Sequence, residues 1–252
     1  MRATASHGKA VKMLAKRTDT IMVSFEDAIP RIQKAKRVVL TGTPTKILEK
    51  ELNLSEKIAL KGKYKLNPAK PTVLAFGGSQ GAKAINDTII ELAENKLNKN
   101  YQVLLACGQK QYEVVEADLK EKGLDINNLD GIQIVPYIYE LQEVMSASEV
   151  LVCRSGAMTI VEIANLGKPS ILIPLPNVSH DHQQYNAEVL EKLGAAKIIK
   201  NNDLDAKILH ENILEILNKD NLEKMGENAK KAAIKNVEDN IYKEIQRLVD
   251  KR

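Results

Sequence analysis

The sequence of 252 residues contains no tryptophan, two phenylalanines, two cysteines and four histidines. So few aromatic side chains, none of them interleaved with basic residues, argue against a platform on which nucleic-acid bases stack. Cys107 and Cys153 each end an apolar run, and neither they nor the scattered histidines have the spacing of a metal site. We expect both thiols to be small buried side chains of a protein from a reducing compartment.

Long apolar runs are also missing. The longest has the length of a strand, so we expect no membrane span. Residues 1–17 are basic but lack the apolar segment of a signal peptide. What remains, 44% hydrophobic and 28% charged residues, is typical of a soluble globular protein whose length allows a large core in one or two domains.

The net charge of +4 is unevenly distributed along the chain. Residues 1–50 contain 11 Lys or Arg and 4 Asp or Glu, whereas acidic residues slightly outnumber basic ones in the remainder. A basic end of this kind either contacts anionic lipid or phosphate, or is an ordinary solvated surface. Composition alone leaves both interpretations open.

From residue 72 onward, apolar runs alternate regularly with helix-length segments. Six runs predict strands at 72–76, 101–107, 132–135, 150–153, 170–174 and 196–199. Because strands separated by helices pair in parallel, the pattern predicts a doubly wound α/β sheet of the Rossmann-like kind.

Two shorter strands, at 19–24 and 37–40, precede this series and are too few to make a domain alone. We interpret residues 1–50 as the end of another α/β domain. Residues 51–70 are polar and lysine-rich, which is typical of a linker. The remaining chain divides into a Rossmann-like domain at 71–235 and a C-terminal helix at 236–252.

Strand-to-helix turns carry the residues that suit a ligand. After the strand at 150–153, a glycine-containing turn leads into a helix, which directs helix N-terminal amides at an anion such as a diphosphate. Glu162, in the second turn of that helix, is placed to accept hydrogen bonds from a ribose diol. Gln183 and Gln184 open the next helix and offer donors and acceptors to a hydroxyl-rich ligand. Together these residues favour a nucleotide-sugar site.

Each feature alone has an ordinary structural explanation. Gly156 fits a turn glycine, Glu162 a solvated helix residue, and the glutamine pair a polar cap. The glycine loop at 77–81 either admits a ligand close to the backbone, with the Ser79 hydroxyl beside it, or allows tight packing. It lacks the Gly-Lys-Ser/Thr spacing of a P-loop, so ATP hydrolysis has no support.

Three motifs, in order, resemble those of one family. They are Phe76-Gly77-Gly78-Ser79-Gln80-Gly81-Ala82, Arg154-Ser155-Gly156-Ala157-Met158-Thr159 with Glu162, and Asp181-His182-Gln183-Gln184-Tyr185-Asn186-Ala187. Over nearly its whole length the sequence resembles the MurG family, the peptidoglycan GlcNAc transferases of glycosyltransferase family 28. The resemblance implies a GT-B fold, in which two Rossmann-like domains face each other across a cleft. Here it covers the C-terminal domain and a remnant of the N-terminal acceptor domain.

The resemblance also implies an activity. It is the inverting transfer of GlcNAc from UDP-GlcNAc to lipid I, which forms lipid II in peptidoglycan synthesis, with no metal or other cofactor. The implied location is peripheral, on the cytoplasmic face of the bacterial plasma membrane in contact with the inner leaflet, with no nucleic-acid partner. The family's Gly-rich loop ending in His is absent, and the expected catalytic base belongs to that part. We therefore expect a truncated chain that binds UDP-GlcNAc without transferring sugar.

Residue roles follow from the same resemblance. Tyr137 and Ile138 would hold the uracil, with the Ile138 backbone contacting its edge. Ser79 and the turn formed by Gly156, Ala157, Met158 and Thr159 would cradle the diphosphate. Glu162 would bind the ribose, and Gln183 and Gln184 the GlcNAc hydroxyls. Lys46 stands where the family usually has Arg in a Gly-x-Pro-x-Arg turn, which keeps the charge but loses the bidentate fork. It is either a phosphate contact or a surface lysine.

Other functions stay open beside this one. The chain could be the donor-binding subunit of a split glycosyltransferase, whose partner carries the acceptor, or a plain regulatory binder of nucleotide sugars. It could also be a UDP-GlcNAc 2-epimerase-like enzyme, which shares the fold. Epimerisation needs acid and base carboxylates in the cleft, and the Gln183–Gln184 pair does not supply them.

Overall fold

The computed structural model describes residues 13–45, 51–176 and 181–250. Eight strands lie in these ranges: β1 (Ile21–Val23), β2 (Val38–Leu40), β3 (Thr72–Phe76), β4 (Gln102–Ala106), β5 (Ile132–Val135), β6 (Val150–Cys153), β7 (Ser170–Leu172) and β8 (Ala196–Ile198). β1 and β2 form a small parallel sheet, and the other six form a second sheet in the order β5-β4-β3-β6-β7-β8. Every neighbouring pair is parallel. The predicted six-stranded, doubly wound sheet is confirmed.

The strand order creates one particular crevice. The chain runs outward from β3 through β4 to β5 and then returns to place β6 beside β3, with Phe76 level with Cys153. The connections after β3 and β6 therefore leave the sheet in opposite directions. In open α/β sheets, ligands bind outside the carboxyl ends of the strands at such a switch point.

Nine α-helices lie wholly within the described ranges. They are α1 (Leu54–Lys63), α2 (Lys83–Glu94), α3 (Tyr112–Glu121), α4 (Leu141–Ala147), α5 (Ala157–Leu166), α6 (His182–Lys192), α7 (Ala206–Leu217), α8 (Lys219–Lys231) and α9 (Val237–Val249). Helices α2, α3 and α7 pack on one face of the six-stranded sheet, and α4, α5 and α6 on the other. Because both faces are covered, the strands are near-continuous apolar runs, which is why the sequence predicted them. Cys107 and Cys153 are both buried, as expected, and they lie on opposite faces of the sheet.

Helix α1 lies inside the segment that composition predicted to be a linker. Asn53 caps it by accepting from the Glu56 amide at 3.0 Å, while the Glu56 side chain accepts from the Asn53 amide at 2.8 Å. Lys61 of α1 is buried and pairs with Glu149 at 3.2 Å, which ties the helix to the amino-terminal end of the six-stranded sheet. The Asn-x-x-Glu capping box is a sequence signal that predicts a helix start here.

Helix α9 leaves the six-stranded sheet and packs beside β1 and β2. Its Glu244 is buried and accepts hydrogen bonds from Thr20 Oγ1 at 2.8 Å, Arg37 Nε at 3.2 Å and Arg247 Nε at 2.9 Å. The C-terminal helix predicted at 236–252 therefore stabilises the N-terminal segment.

The pKa of Glu244 predicts how this junction responds to acid. The hydrogen bonds from Arg247, Thr20 and Arg37 lower its pKa from 4.5 to about 2. A lowered carboxyl pKa contributes stability that is present above the unfolded value and lost as pH falls through the folded one. We expect Glu244→Gln to lower the free energy of unfolding by about 2 kcal/mol near neutral pH. The difference from wild type should shrink between about pH 4.5 and about pH 2.

Urea denaturation across this pH range measures the effect. Asp87→Asn, which removes an exposed ion pair with Lys83, is the matched control and should change stability by less than about 1 kcal/mol. A Glu244→Gln deficit that stays constant from neutral to acid pH would show that the carboxylate charge is not the stabilising feature.

Candidate functional site at the switch point

A cleft of about 550 Å³ opens at the carboxyl ends of β3 and β6. Its walls come from four successive strand ends: the loop after β3, the turn after β6, the segment after β7 and the residue Asn201 after β8. Gln183 of α6 also lines it. The volume is in the range of clefts that hold nucleotide-sized ligands.

The glycine loop after β3 is tightly folded. A Cβ atom on Gly77 would lie 2.2 Å from the Ala82 amide nitrogen, and one on Gly81 would lie 2.0 Å from the Cys107 carbonyl oxygen. Gly78 differs, because nothing lies within 4 Å of the position of its Cβ. Tight packing therefore explains Gly77 and Gly81, whereas Gly78 faces open space at the cleft.

Helix α5 begins at the cleft. Gly156 is its N-cap and makes no side-chain capping bond, so the amides of the first turn are not satisfied by a cap. Gly156 and Thr159 line the cleft. A helix start in this state can accept an anion, because its free amides and its dipole both favour negative charge.

Arg154, between β6 and α5, also lines the cleft. Its Nη1 donates to the carbonyl oxygens of Ile173 at 3.0 Å and Pro174 at 3.3 Å, which holds the side chain across the ends of β6 and β7. Partial burial lowers its pKa, and no carboxylate pairs with it in the part of the chain that the structure describes. Lys83, which also pairs with Asp87 at 2.9 Å, is a second cation on the cleft wall, and none of the described lining residues is acidic. This charge pattern suits a diphosphate.

The turn after β6 is fixed to α6 by hydrogen bonds. Ser155 Oγ donates to the Gln183 carbonyl oxygen at 2.8 Å, and Asn186 Nδ2 donates to the Ser155 carbonyl oxygen at 3.0 Å. Gln183 Oε1 accepts from the Leu175 amide at 3.0 Å, and its NH₂ group makes no hydrogen bond within the described ranges. Gln184 Nε2 instead donates to Glu188 Oε1 at 3.2 Å, along its own helix.

A second group of residues lies beside the cleft rather than on its walls. Glu162 is partly buried and accepts a hydrogen bond from Gln142 of α4. Ile138 is 3% exposed and belongs to the core, whereas Tyr137 is 41% exposed and packs edge-on against Tyr139 with ring centres 5.0 Å apart. The loop that carries both residues leads directly into α4.

The described ranges contain neither a cluster of metal-ligating side chains nor a membrane-spanning helix. There, no three His, Cys, Asp or Glu side chains come together as a metal site would require. Asp203-Leu204-Asp205 has the spacing of an Asp-x-Asp metal motif. The Asp205 side chain instead caps α7 by accepting from the Ile208 amide at 2.7 Å. None of the helices within those ranges has the length and apolar character needed to cross a bilayer.

Residues 72–241 match the family model for the glycosyltransferase family 28 C-terminal domain. The chain belongs to glycosyltransferase family 28. It is 40% identical over 224 residues to the UDP-N-acetylglucosamine–N-acetylmuramyl-(pentapeptide) pyrophosphoryl-undecaprenol N-acetylglucosamine transferase of Caldanaerobacter subterraneus, covering 88% of this chain and 60% of that protein. It is 38% identical over 242 residues to the protein of the same name from a Thermoanaerobacter species, covering 95% and 64%.

Solved structures agree with this family assignment. The crystal structure of Acinetobacter baumannii MurG superposes with a TM-score of 0.73 at 25% identity, covering 97% of this chain and 66% of that one. The resemblance to the MurG family and the GT-B-type α/β fold are therefore confirmed. The chain spans about two thirds or less of the length of these family 28 relatives.

The structure brings together some of the predicted site residues. Gly156, Thr159 and Gln183 share the cleft, and Ala157 and Met158 complete the first turn of α5. Ser79 is exposed on the glycine loop. Glu162, Tyr137 and Ile138, which were predicted to bind the ribose and the uracil, form the group beside the cleft described above, and Gln184 is turned along α6. Lys46 lies outside the described residues.

Arg154, Lys83 and Gln142 were not predicted as site residues. The sequence position of Arg154 was a usable signal for a site residue, because it adjoins the Gly156 turn at the end of a strand. Lys83 and Gln142 had none, because each reaches its place only through packing between elements.

Proposed function

We propose that this chain binds UDP-GlcNAc and supplies the donor half of a GlcNAc transferase that converts lipid I to lipid II in peptidoglycan synthesis. The observation that carries the proposal is the cleft at the switch point, which has two cations, uncapped helix amides and no acidic side chain among its described lining residues. Support for the sugar and the acceptor comes from relatives whose names specify N-acetylglucosamine transfer to a pyrophosphoryl-undecaprenol acceptor.

The roles proposed for the residues follow their chemistry. The diphosphate lies at the amides of Ala157, Met158 and Thr159, next to Arg154 and within reach of the Ser79 hydroxyl. Its developing charge is stabilised there as the bond to the sugar breaks, so in this proposal the leaving group requires no metal.

The remaining parts of the donor contact residues around this cleft. Glu162 accepts hydrogen bonds from the ribose, and Tyr137 and Ile138 enclose the uracil. Gln183 donates to a GlcNAc hydroxyl through its NH₂ group. Gln184 reaches the sugar only by releasing Glu188.

The acceptor places the reaction at a membrane surface. Lipid I is an amphiphile anchored in the inner leaflet, so we propose peripheral association with the cytoplasmic face of the plasma membrane. Basic residues of the segment 13–45 would favour an anionic leaflet. Nucleic acid is not a partner in this proposal. The relatives' names do not favour the epimerase or the split-subunit alternative.

Calorimetry with UDP-GlcNAc tests the donor role. We expect the wild-type chain to bind, and Glu162→Ala to bind at least about tenfold more weakly, because the ribose loses its charged acceptor. Glu116→Ala, an exposed residue of α3, is the control and should bind as the wild type does. A folded wild-type chain that gives no heat with UDP-GlcNAc would overturn the proposal.

A further inference from the structure

Gln142, in the first turn of α4, joins that helix to Glu162 of α5. Its Nε2 atom lies 3.0 Å from Glu162 Oε1. Since an ionised carboxylate only accepts hydrogen bonds, the amide nitrogen must face it, and this fixes the orientation of the Gln142 amide. The other amide atom, Oε1, is buried and has no hydrogen-bond partner among the described residues.

The unpartnered Oε1 atom of Gln142 lowers the stability of the fold, so stability does not explain a glutamine at this position. A buried carbonyl oxygen without a partner is destabilising, and an apolar side chain of similar length would avoid that penalty. Methionine has nearly the same shape and would fill the same space. A glutamine here is explained if its amide nitrogen is needed where it points, which is at the Glu162 carboxylate.

Glu162 would be loosely held without this contact. A glutamate side chain has three rotatable bonds, and the hydrogen bond from Gln142 is the one its carboxylate makes within the described part of the chain. That bond occupies one lone pair of Oε1 and leaves Oε2 open to other donors. The carboxylate is thus fixed in direction while retaining the acceptors that a vicinal diol requires.

Gln142 is itself held on a rigid base. Helix α4 begins three residues after Ile138, whose side chain is buried with Val144 and Met145 of the same helix. The amide of Gln142 therefore joins α4, which follows the loop proposed to hold the uracil, to the carboxylate proposed to hold the ribose.

We propose that Gln142 is a positioning residue that orients Glu162 toward the ribose diol and so lets the chain prefer a ribonucleotide over its 2′-deoxy analogue. The inference rests on the proposed function, in which Glu162 binds the ribose. It adds a specificity-determining residue that lies outside the three sequence motifs.

The test compares UDP with 2′-deoxy-UDP by calorimetry. Wild type should prefer UDP. Gln142→Met should weaken UDP binding roughly fivefold, the order expected for one lost hydrogen bond, and change 2′-deoxy-UDP binding less than about twofold. Its thermal midpoint should equal or exceed that of the wild type, because the unpartnered Oε1 is gone. Gln246→Met, an exposed residue of α9, is the matched control and should alter neither affinity.

A double variant keeps the test decisive. Glu162→Ala should abolish the preference for UDP, and adding Gln142→Met to it should change nothing further, because the two residues act through one interaction. A Gln142→Met variant that keeps the wild-type preference, or that weakens both nucleotides equally with a lowered midpoint, overturns the inference while leaving the proposed function intact. Wild type that binds UDP and 2′-deoxy-UDP equally also overturns it. Wild type that binds neither overturns the proposed function and this inference with it.

Discussion

Replacing Gly81 by alanine should destabilise the protein by about 3 kcal/mol and abolish measurable UDP-GlcNAc binding. Gly81 has φ +75°, a conformation that costs an alanine free energy, and its new Cβ would lie 2.0 Å from the Cys107 carbonyl oxygen. That oxygen belongs to the backbone and also accepts a hydrogen bond from Asn86 Nδ2 at 3.0 Å, so it cannot move alone. The glycine loop must therefore shift away from Cys107, which changes the wall that the loop contributes to the cleft.

Gly78→Ala separates the effect of the positive φ from the effect of the steric clash. Gly78 has φ +82°, so it carries a similar conformational penalty, but a Cβ there would meet no atom within 4 Å. We expect it to lower stability by about 1 kcal/mol and to leave the loop in place. Urea denaturation and calorimetry on both variants measure the difference. Equal losses of stability for the two substitutions would show that backbone conformation, rather than the close approach to Cys107, requires glycine at position 81.

The six-stranded sheet was predictable because burial on both faces leaves a simple signal. A strand such as Val150–Cys153 is apolar at every position. A run of four apolar residues is too short for an amphipathic helix, so the sequence indicates a buried strand. Strand ends were less predictable. The apolar run at 170–174 predicted a five-residue strand, but β7 ends at Leu172. The boundary is set by the hydrogen bonds that β7 makes with β6 and β8.

Helix α1 shows the opposite case. Half of its residues are polar and three are lysines, so composition predicted a linker although Asn53 and Glu56 form a capping box. The helix is tied to the rest of the molecule by Lys61, whose burial depends on Glu149, far away in sequence. No local feature of the sequence predicts that Lys61 is buried in this ion pair.

The candidate site divides in the same way. Parallel strands bring their carboxyl ends to one edge, so the convergence of Gly156, Thr159 and Gln183 followed from the order of strands and turns. The side-chain direction of Arg154 did not follow, because it depends on two carbonyl groups at the end of β7. Contacts between helices, such as Gln142 with Glu162, have no local sequence signature.

Arg154→Met should weaken binding of UDP and UDP-GlcNAc about 50-fold, the size expected for a charged hydrogen-bonding contact to phosphate. The guanidinium is half-buried, its pKa is lowered by desolvation, and it has no carboxylate partner within the described ranges. A cation removed from water without an opposite charge is unfavourable unless a bound anion compensates. Nη1 is engaged by the backbone, and the other N–H donors remain for such an anion.

Uridine, which has no phosphate, distinguishes this role from a general structural one. Arg154→Met should bind uridine as the wild type does, and Arg154→Lys should recover part of the affinity for UDP, because it keeps the charge but not the fork. Lys207→Met, an exposed residue of α7, controls for the loss of one positive charge and should leave both affinities unchanged. An equal loss of affinity for uridine and UDP in Arg154→Met would show that the side chain holds the ends of β6 and β7 in place and does not contact the diphosphate. Recognition of the diphosphate would then have to be assigned to Lys83 and the amides of α5.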